Sequence, residues 1–286
     1  MGNNLEFPHV VVTPSRNEVD FLPALVDSMA RQTFPPTEWI IVSHNSGEES
    51  STFLEKTSEK FDWIRIITLE DISKRKRGAQ IAKIVNTGLS NSSSDWEFFS
   101  KIDADMVLPD DYFEKIFHRF LDSDKLGIAS GSCFIFSNGK ESIEKVSDDH
   151  TRGGLKTYRR SCFDDIGGIK EIDGWDGIDN IIAQMKGWET HSFKDPKAKH
   201  QRRTGSHSGL VFGCFESGKF AYTMGYFPPF MIARSLHRMV RKPIIIGGIS
   251  MLIGYIHSLL TRKKRINDPE VVSFLRDKQK KRLKPW

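Results

Sequence analysis

The sequence predicts an α/β fold: a mainly parallel sheet flanked by helices, with amphipathic and apolar helices at the C-terminal end. Three observations predict it. Short apolar runs alternate four times with segments of helical spacing between His9 and Ser123, the pattern of right-handed crossovers that cover both faces of a parallel sheet. Polar loops follow those apolar runs, and in such sheets ligands bind at the carboxyl ends of the strands. The charge is also divided. Residues 1–216 carry 27 Lys and Arg against 34 Asp and Glu, whereas residues 217–286 carry 15 against 3. An acidic body with a basic tail predicts an anionic partner for the tail.

The elements follow in order. "HVVV" is a β-branched run that enters a loop at Pro14. "VDFLPALVDSMA" has apolar residues at helical spacing, and Pro35-Pro36 end it. "TEWIIVSHNSGEES" reads as a second strand and a polar loop, "STFLEKTSEKF" as a helix, and "DWIRIITLE" as a third strand. "KRGAQIAKIVNTGLS" is a helix, "DWEFFSKIDADM" a fourth strand, and "DDYFEKIFHRFLDS" a helix with apolar positions 113, 116, 117, 120 and 121. After residue 127 the segments "LGIASGSCFIF" and "GGLKTYRRSCFDDIGG" predict shorter strands with turns. "GWDGIDNIIAQMKGW" is a Gly-rich loop entering a helix, and "ETHSFKDPKAKHQRRTGS" a last strand with its loop. The domain reading is a sheet domain over 1–210 and a basic helical region over 211–286. Three widely spaced cysteines fit a reducing compartment better than a disulfide framework. The first residues lack the basic and apolar regions of a secretory leader.

Asp103 and Asp105 end the fourth strand. Two carboxylates one residue apart can cap a turn or hold a divalent cation that carries a phosphate. Asp176 and Asp179 stand in the loop and first turn of one helix, where either can serve as a proton acceptor or as a cap. "SKRKRG", residues 73–78, reads as a solvated run or as a clamp on phosphates.

The order of these motifs resembles that of inverting family-2-type glycosyltransferases of the GT-A fold, over roughly residues 8–210. "VVVTPSRNE" resembles the opening strand and its Pro-x-x-Asn-Glu loop. "RGAQIAKIVNTG" resembles the segment ending in Asn-x-Gly, and "KIDADM" the Asp-x-Asp motif. "YRRSCFDDIGGI" resembles the stretch that contacts acceptor and donor sugar, and "GWDGIDNIIAQMKGW" the Trp-Glu-Asp region. The resemblance implies an enzyme that moves a sugar, with inversion, from a nucleotide-diphosphate donor to a lipid-linked or polysaccharide acceptor.

It further implies a bound divalent cation, Mn²⁺ or Mg²⁺, held by Asp105 and Asp103 with His200 as a third ligand; His207 is a weaker candidate. Pro14, Arg16, Asn17, Glu18 and Asn45 would lie near the nucleoside, and Asp103 near the ribose. Arg77, Gly78, Arg159 and Arg160 would meet the donor phosphates, with Arg202 and Arg203 closing from the late loop. The catalytic base would be Asp176 or Asp179; the chain has Asp-Gly where the family usually has Glu-Asp, so two alignments are possible. After the second strand "SHNSGEES" replaces the usual Asp-Asp-x-Ser, which leaves the base of the donor open. A nucleotidyltransferase on a related sheet and a non-catalytic membrane-docking module are the rival readings.

In the tail, "MIARSLHRMVRK" places Arg234, Arg238, Arg241 and Lys242 on one helical face and Ile232, Leu236, Met239 and Val240 on the other, the pattern of an interfacial helix. Residues 243–260 carry no charge and as a helix would reach about 27 Å. They fit an interfacial or half-inserted helix, a span, or a helix packed on protein. "TRKKR" supports attraction to anionic lipid, and "KQKKRLK" reads as a solvated end. The region 230–286 therefore predicts a peripheral or singly inserted association with the cytoplasmic face of a membrane. It lacks the interleaved aromatics that nucleic acid would require.

Overall fold

The computed structural model describes residues 7–70, 78–137, 140–144, 146–202 and 209–283. The chain forms two compact units, Met1–Arg202 and Arg203–Trp286.

In the first unit β1 (His9–Ser15), β2 (Glu38–His44), β3 (Ile64–Leu69) and β4 (Phe98–Ile102) are connected through α1 (Leu22–Ala30), α2 (Glu48–Lys60) and α3 (Ala79–Ser90). They pair in parallel, in the order β3-β2-β1-β4. Strands covered on both faces read as continuous apolar runs, and Val10, Val11, Val12, Trp39, Ile40, Ile41 and Val42 have no solvent exposure. Beyond β4 come β5 (Met106–Val107), α4 (Tyr112–Asp122), β6 (Leu126–Ser137), β7 (Lys140–Glu144), β8 (Leu155–Arg159), α5 (Arg160–Asp165), α6 (Trp175–Met185) and β9 (Glu189–His200).

The strand order across the sheet is β3-β2-β1-β4-β8-β6-β9-β5, with β7 beside β6. β8 runs antiparallel to β4, and β9 parallel to β6. α4 packs Tyr112, Phe113, Ile116, Phe117 and Phe120 into the core with Phe98, each such side chain contributing ~1.5–3 kcal/mol on burial. The antiparallel half has one consequence for function. The start of β8, the end of β9 and the carboxyl ends of β1, β2 and β4 share one rim of the sheet.

The second unit consists, among the described residues, of α7 (Leu210–Thr223), α8 (Pro228–Arg238), α9 (Ile246–Leu260) and α10 (Pro269–Leu283). Pro228 and Pro229 occupy the first turn of α8, where a missing N–H costs nothing. α7 and α9 meet backbone to backbone: a Cβ on Gly218 would stand 1.8 Å from the Met251 carbonyl oxygen, and one on Gly254 2.0 Å from that of Phe215. The uncharged run 243–260 forms a shorter helix than its length allows. Ile245 has φ +60° and breaks the backbone, so α9 starts at Ile246. No helix among the described residues is long and apolar enough to cross a membrane. The "KQKKRLK" segment is not a loose end as far as Leu283: it continues α10, which buries Val271, Leu275 and Gln279.

Candidate active site

The rim of the first unit gathers most of the residues singled out by sequence. β1 ends at Ser15 beside Ser43 of β2, and both hydroxyls are buried without a hydrogen-bond partner among the described residues. The loops that follow are tied together: the Gly47 N–H donates to Asn17 Oδ1 at 2.6 Å. Asn17 and Asn45 both take positive φ, +52° and +49°, a backbone conformation that Asn tolerates better than most residues. Pro14 and Arg16 flank this turn at the end of β1. Glu18 is buried, and its backbone carbonyl accepts the Phe21 and Leu22 N–H groups at the start of α1.

Asp103 and Asp105 follow β4. The Asp103 N–H donates to the Gly154 carbonyl at 3.0 Å, and its carboxylate pairs with the Lys101 ammonium. Asp105 is 5% exposed. Its Oδ2 receives Arg202 Nε at 2.5 Å and stands 3.2 Å from His200 Nε2. Arg202 also donates to Glu18 at 2.8 Å and lies over the Phe21 ring. The other His200 nitrogen stands 3.3 Å from Glu144, a carboxylate that also holds Arg152 at 3.0 Å.

Burial opposes charge on both partners, but the ion pairs prevail. The Asp105 carboxyl is held below its ordinary range by His200 and Arg202, and His200 is raised to about 9 by Asp105 and Glu144. The rim thus concentrates positive charge on the Asp105 oxygen. Carboxylate and imidazole donors suit Mn²⁺ or Mg²⁺ chemically. Among the described residues, however, no three His, Cys, Asp or Glu are gathered as a metal cage; the Arg202 guanidinium and the Lys101 ammonium hold the carboxylates instead.

The two aspartates of α6 have opposite environments. Asp179 is 2% exposed. Both its oxygens receive the Lys156 ammonium at 2.8 Å, and Oδ2 also receives the Tyr158 hydroxyl at 2.5 Å. Asp176 is half-buried, and among the described residues its carboxylate accepts no hydrogen bond. It packs on Gly153, while the Asp103 carboxylate packs on the adjacent Gly154. A Cβ at these glycines would meet the carboxylate oxygens at 2.9 and 2.6 Å. Trp175 is buried beneath, with the ammonium groups of Lys101 and Lys156 each 5.5 Å from its ring centroid. Gly78, at φ +75°, lies against Asp173 in the loop leading to α6; a Cβ there would meet Asp173 Oδ1 at 2.2 Å.

Arg159 and Arg160, expected at the donor phosphates, lie elsewhere. β8 is antiparallel to β4, so Arg159 pairs with Phe98 at the beginning of β4, the opposite end from Asp103. Its guanidinium donates to the carbonyls of Phe120, Ser123 and Leu126. Arg160 stacks on Trp96 and pairs with Asp95 and Asp164. Arg77, Arg203 and His207 lie outside the described residues. Sequence reasoning passed over Lys101, Lys156, Tyr158 and Glu144. The available signal was a lysine inside each of two apolar strands, "EFFSKI" and "LKTY", since a buried lysine requires a carboxylate.

Comparison with known proteins agrees with this architecture. The family profile "Glycosyl transferase family 2" matches residues 10–170. A curated relative, the glycosyltransferase GlyA of Streptococcus pneumoniae, is 26% identical over 130 residues, 46% of this chain and 17% of that protein. The chain therefore spans about a sixth of that relative's length. Among solved structures, the mannosyltransferase PcManGT of Pyrobaculum calidifontis, in complex with GDP-Man and Mn²⁺, superposes with TM-score 0.58 at 14% identity, covering 94% of this chain and 79% of its own. The S. aureus TarS fragment 1–349 with UDP-GlcNAc gives TM-score 0.56 at 19% identity, covering 91% and 74%. These structures share the fold, a GT-A sheet with flanking helices. With the profile covering more than half of its length, the chain belongs to glycosyl transferase family 2.

Proposed function

We propose that the enzyme transfers a sugar, with inversion, from a nucleoside-diphosphate donor to a lipid-linked or polysaccharide acceptor. Asp176 is the base, and a divalent cation assists at Asp105. The contrast between the two aspartates of α6 carries this reading. A general base needs an unengaged lone pair within reach of the acceptor hydroxyl. Asp179 has both oxygens committed to Lys156 and Tyr158, whereas Asp176 is half-buried and beside the backbone that also supports Asp103.

Asp176 takes the proton as the acceptor oxygen attacks the anomeric carbon from the face opposite the leaving diphosphate. The nucleoside rests against the turn tied by Asn17 and Gly47, with the half-buried Asn45 and Ser46 as neutral groups able to read a base. Asp105 and His200 are the residues that would hold the cation, whose charge would offset the charge developing on the diphosphate. Arg202, released from Asp105, would be a cation available to that same diphosphate. Support for a nucleotide-sugar donor comes from the relatives crystallised with GDP-Man and UDP-GlcNAc. Support for a membrane-located acceptor comes from the basic composition of residues 217–286.

Calorimetric titration with UDP, GDP, TDP and CDP, with and without Mn²⁺, tests the donor site. One nucleotide should bind in a metal-dependent way, and Asp105→Ala should abolish that binding. Asp176→Asn should retain nucleotide binding and lose turnover by about 10²–10⁴-fold. Retained turnover in Asp176→Asn, or retention of the anomeric configuration in the product, would overturn the assignment.

A further inference from the structure

α9 has its polarity turned inside out. Five of its seven buried positions are small, Gly247, Gly248, Ser250, Gly254 and Ser258, and only Met251 and Tyr255 are large. Its outward positions Ile246, Ile249, Ile253, Ile256 and Leu260 are 43–76% exposed. Those five recur at intervals of three and four residues and so form one continuous stripe. In water, a helix that packs on a neighbour turns its isoleucines inward. Where the surroundings are hydrocarbon, nothing drives them inward, and small residues that admit close backbone approach occupy the interface instead. α9 follows the second rule: Gly254 rides on the Phe215 carbonyl and Gly248 on that of Ser235, while Ser250 donates to the Val211 carbonyl at 2.8 Å.

The apolar surface continues beyond α9. Ile244 and Ile245 are 59% and 56% exposed in the preceding turn, and Leu236 in the last turn of α8 and Val240 just after it are 57% and 73% exposed. Cations adjoin it: Arg241 and Lys242 between Val240 and Ile244, and Arg262, Lys263 and Lys264 after α9, all exposed. No Asp or Glu occurs between Glu216 and Asp268. A second copy laid on this face would bring one cationic margin against another, whereas an anionic bilayer complements both the stripe and its margins.

We propose that α9, with the 244–245 turn and the outer face of α8, embeds in one leaflet of an anionic membrane. The isoleucine stripe enters the acyl chains and the flanking cations engage the headgroups. The fifteen residues of α9 reach about 22 Å, short of the ~30 Å hydrocarbon core, so the unit enters the bilayer without crossing it. This proposal stands independently of the sugar-transfer reading.

Co-sedimentation of the full chain with phosphatidylcholine vesicles, with and without phosphatidylglycerol, tests it. Partitioning should be at least ~10-fold stronger on the anionic vesicles. Ile253→Asp combined with Ile256→Asp should lower it by ~10-fold or more while leaving the circular dichroism spectrum unchanged, because both side chains point outward. Lys263→Glu with Lys264→Glu should weaken binding to anionic vesicles and not to neutral ones. An environment-sensitive fluorophore on Ile253→Cys should be quenched by lipids spin-labelled in the acyl chain. Equal partitioning of wild type and the Asp variant, or an unquenched fluorophore, overturns the proposal. A dimer in solution that Ile253→Asp dissociates, without vesicle binding, would overturn it too and identify the face as a contact between copies.

Discussion

Lys156 has no solvent exposure and gives its ammonium hydrogens to both oxygens of Asp179 and to the Asp176 carbonyl. Two buried charges of this kind are costly to desolvate, and their mutual attraction roughly repays the cost. Removing one partner is a different matter, because the other is left charged and buried. Lys156→Met should destabilise the protein by about 3–5 kcal/mol, read from denaturant unfolding. Lys156→Met combined with Asp179→Leu should recover most of that loss; failure to recover would mean that the Tyr158 and Asn180 contacts, not the ion pair, set the stability. At this scale the sequence exposes residue types but not their partners. Asp103 and Lys101 pair locally, two residues apart, but the pairing of Asp179 with Lys156 depends on β8, set antiparallel to β4, facing α6, and nothing local in either segment specifies that. The same antiparallel pairing removes Arg159 and Arg160 from the expected site.

At the scale of elements, the parallel half of the sheet was legible because each strand is a compact apolar run bounded by helical spacing, and β1 to β4 fall on the four segments so identified. α7 was not legible. Its residues "LVFGCFESGKFAYT" have no single apolar face, because the helix is packed through small residues. Gly218→Ala would force the Met251 carbonyl away from a Cβ 1.8 Å distant, and the two helices cannot both keep their positions. The variant should lose about 1–3 kcal/mol of stability, visible as a lower melting temperature. Gly213→Ala, in the same helix with nothing within 4 Å of its Cβ, should gain up to about 1 kcal/mol from helix propensity. Equal effects at the two positions would refute close packing as the reason for Gly218.

The whole molecule carries a built-in acid sensitivity. His9 is completely buried among Phe113 and Phe117, its ring nitrogen shares a hydrogen bond with the Ser100 hydroxyl at 2.9 Å, and burial pushes its pKa down to about 3. Unfolding restores an ordinary imidazole that titrates near pH 6.5, so below that pH the unfolded chain binds a proton that the folded one does not. Stability therefore falls as the pH drops from about 6.5 toward 3, by up to about 1.4 kcal/mol per pH unit from this group. His9→Gln should flatten that acid limb in urea unfolding measured between about pH 6.5 and pH 4; an unchanged slope would place the sensitivity in other groups.

Composition alone revealed the division of charge between an acidic body and a basic tail. It did not reveal how the tail folds, since an uncharged run of isoleucine and glycine fits a span, an interfacial helix or a buried one equally well. Only the side on which the glycines lie separates these.

The adjacent glycines at 153 and 154 have a consequence for the way such an enzyme can diversify. Asp176 rests on one and Asp103 on the other, so two groups from distant parts of the chain are referenced to consecutive Cα atoms, about 3.8 Å apart. A Cβ at either position would displace one carboxylate relative to the other. With Asp176 as the proposed base, the surrounding loops are free to vary in length and composition, and with them the sugar and acceptor admitted, while the glycine pair keeps the spacing of the two carboxylates.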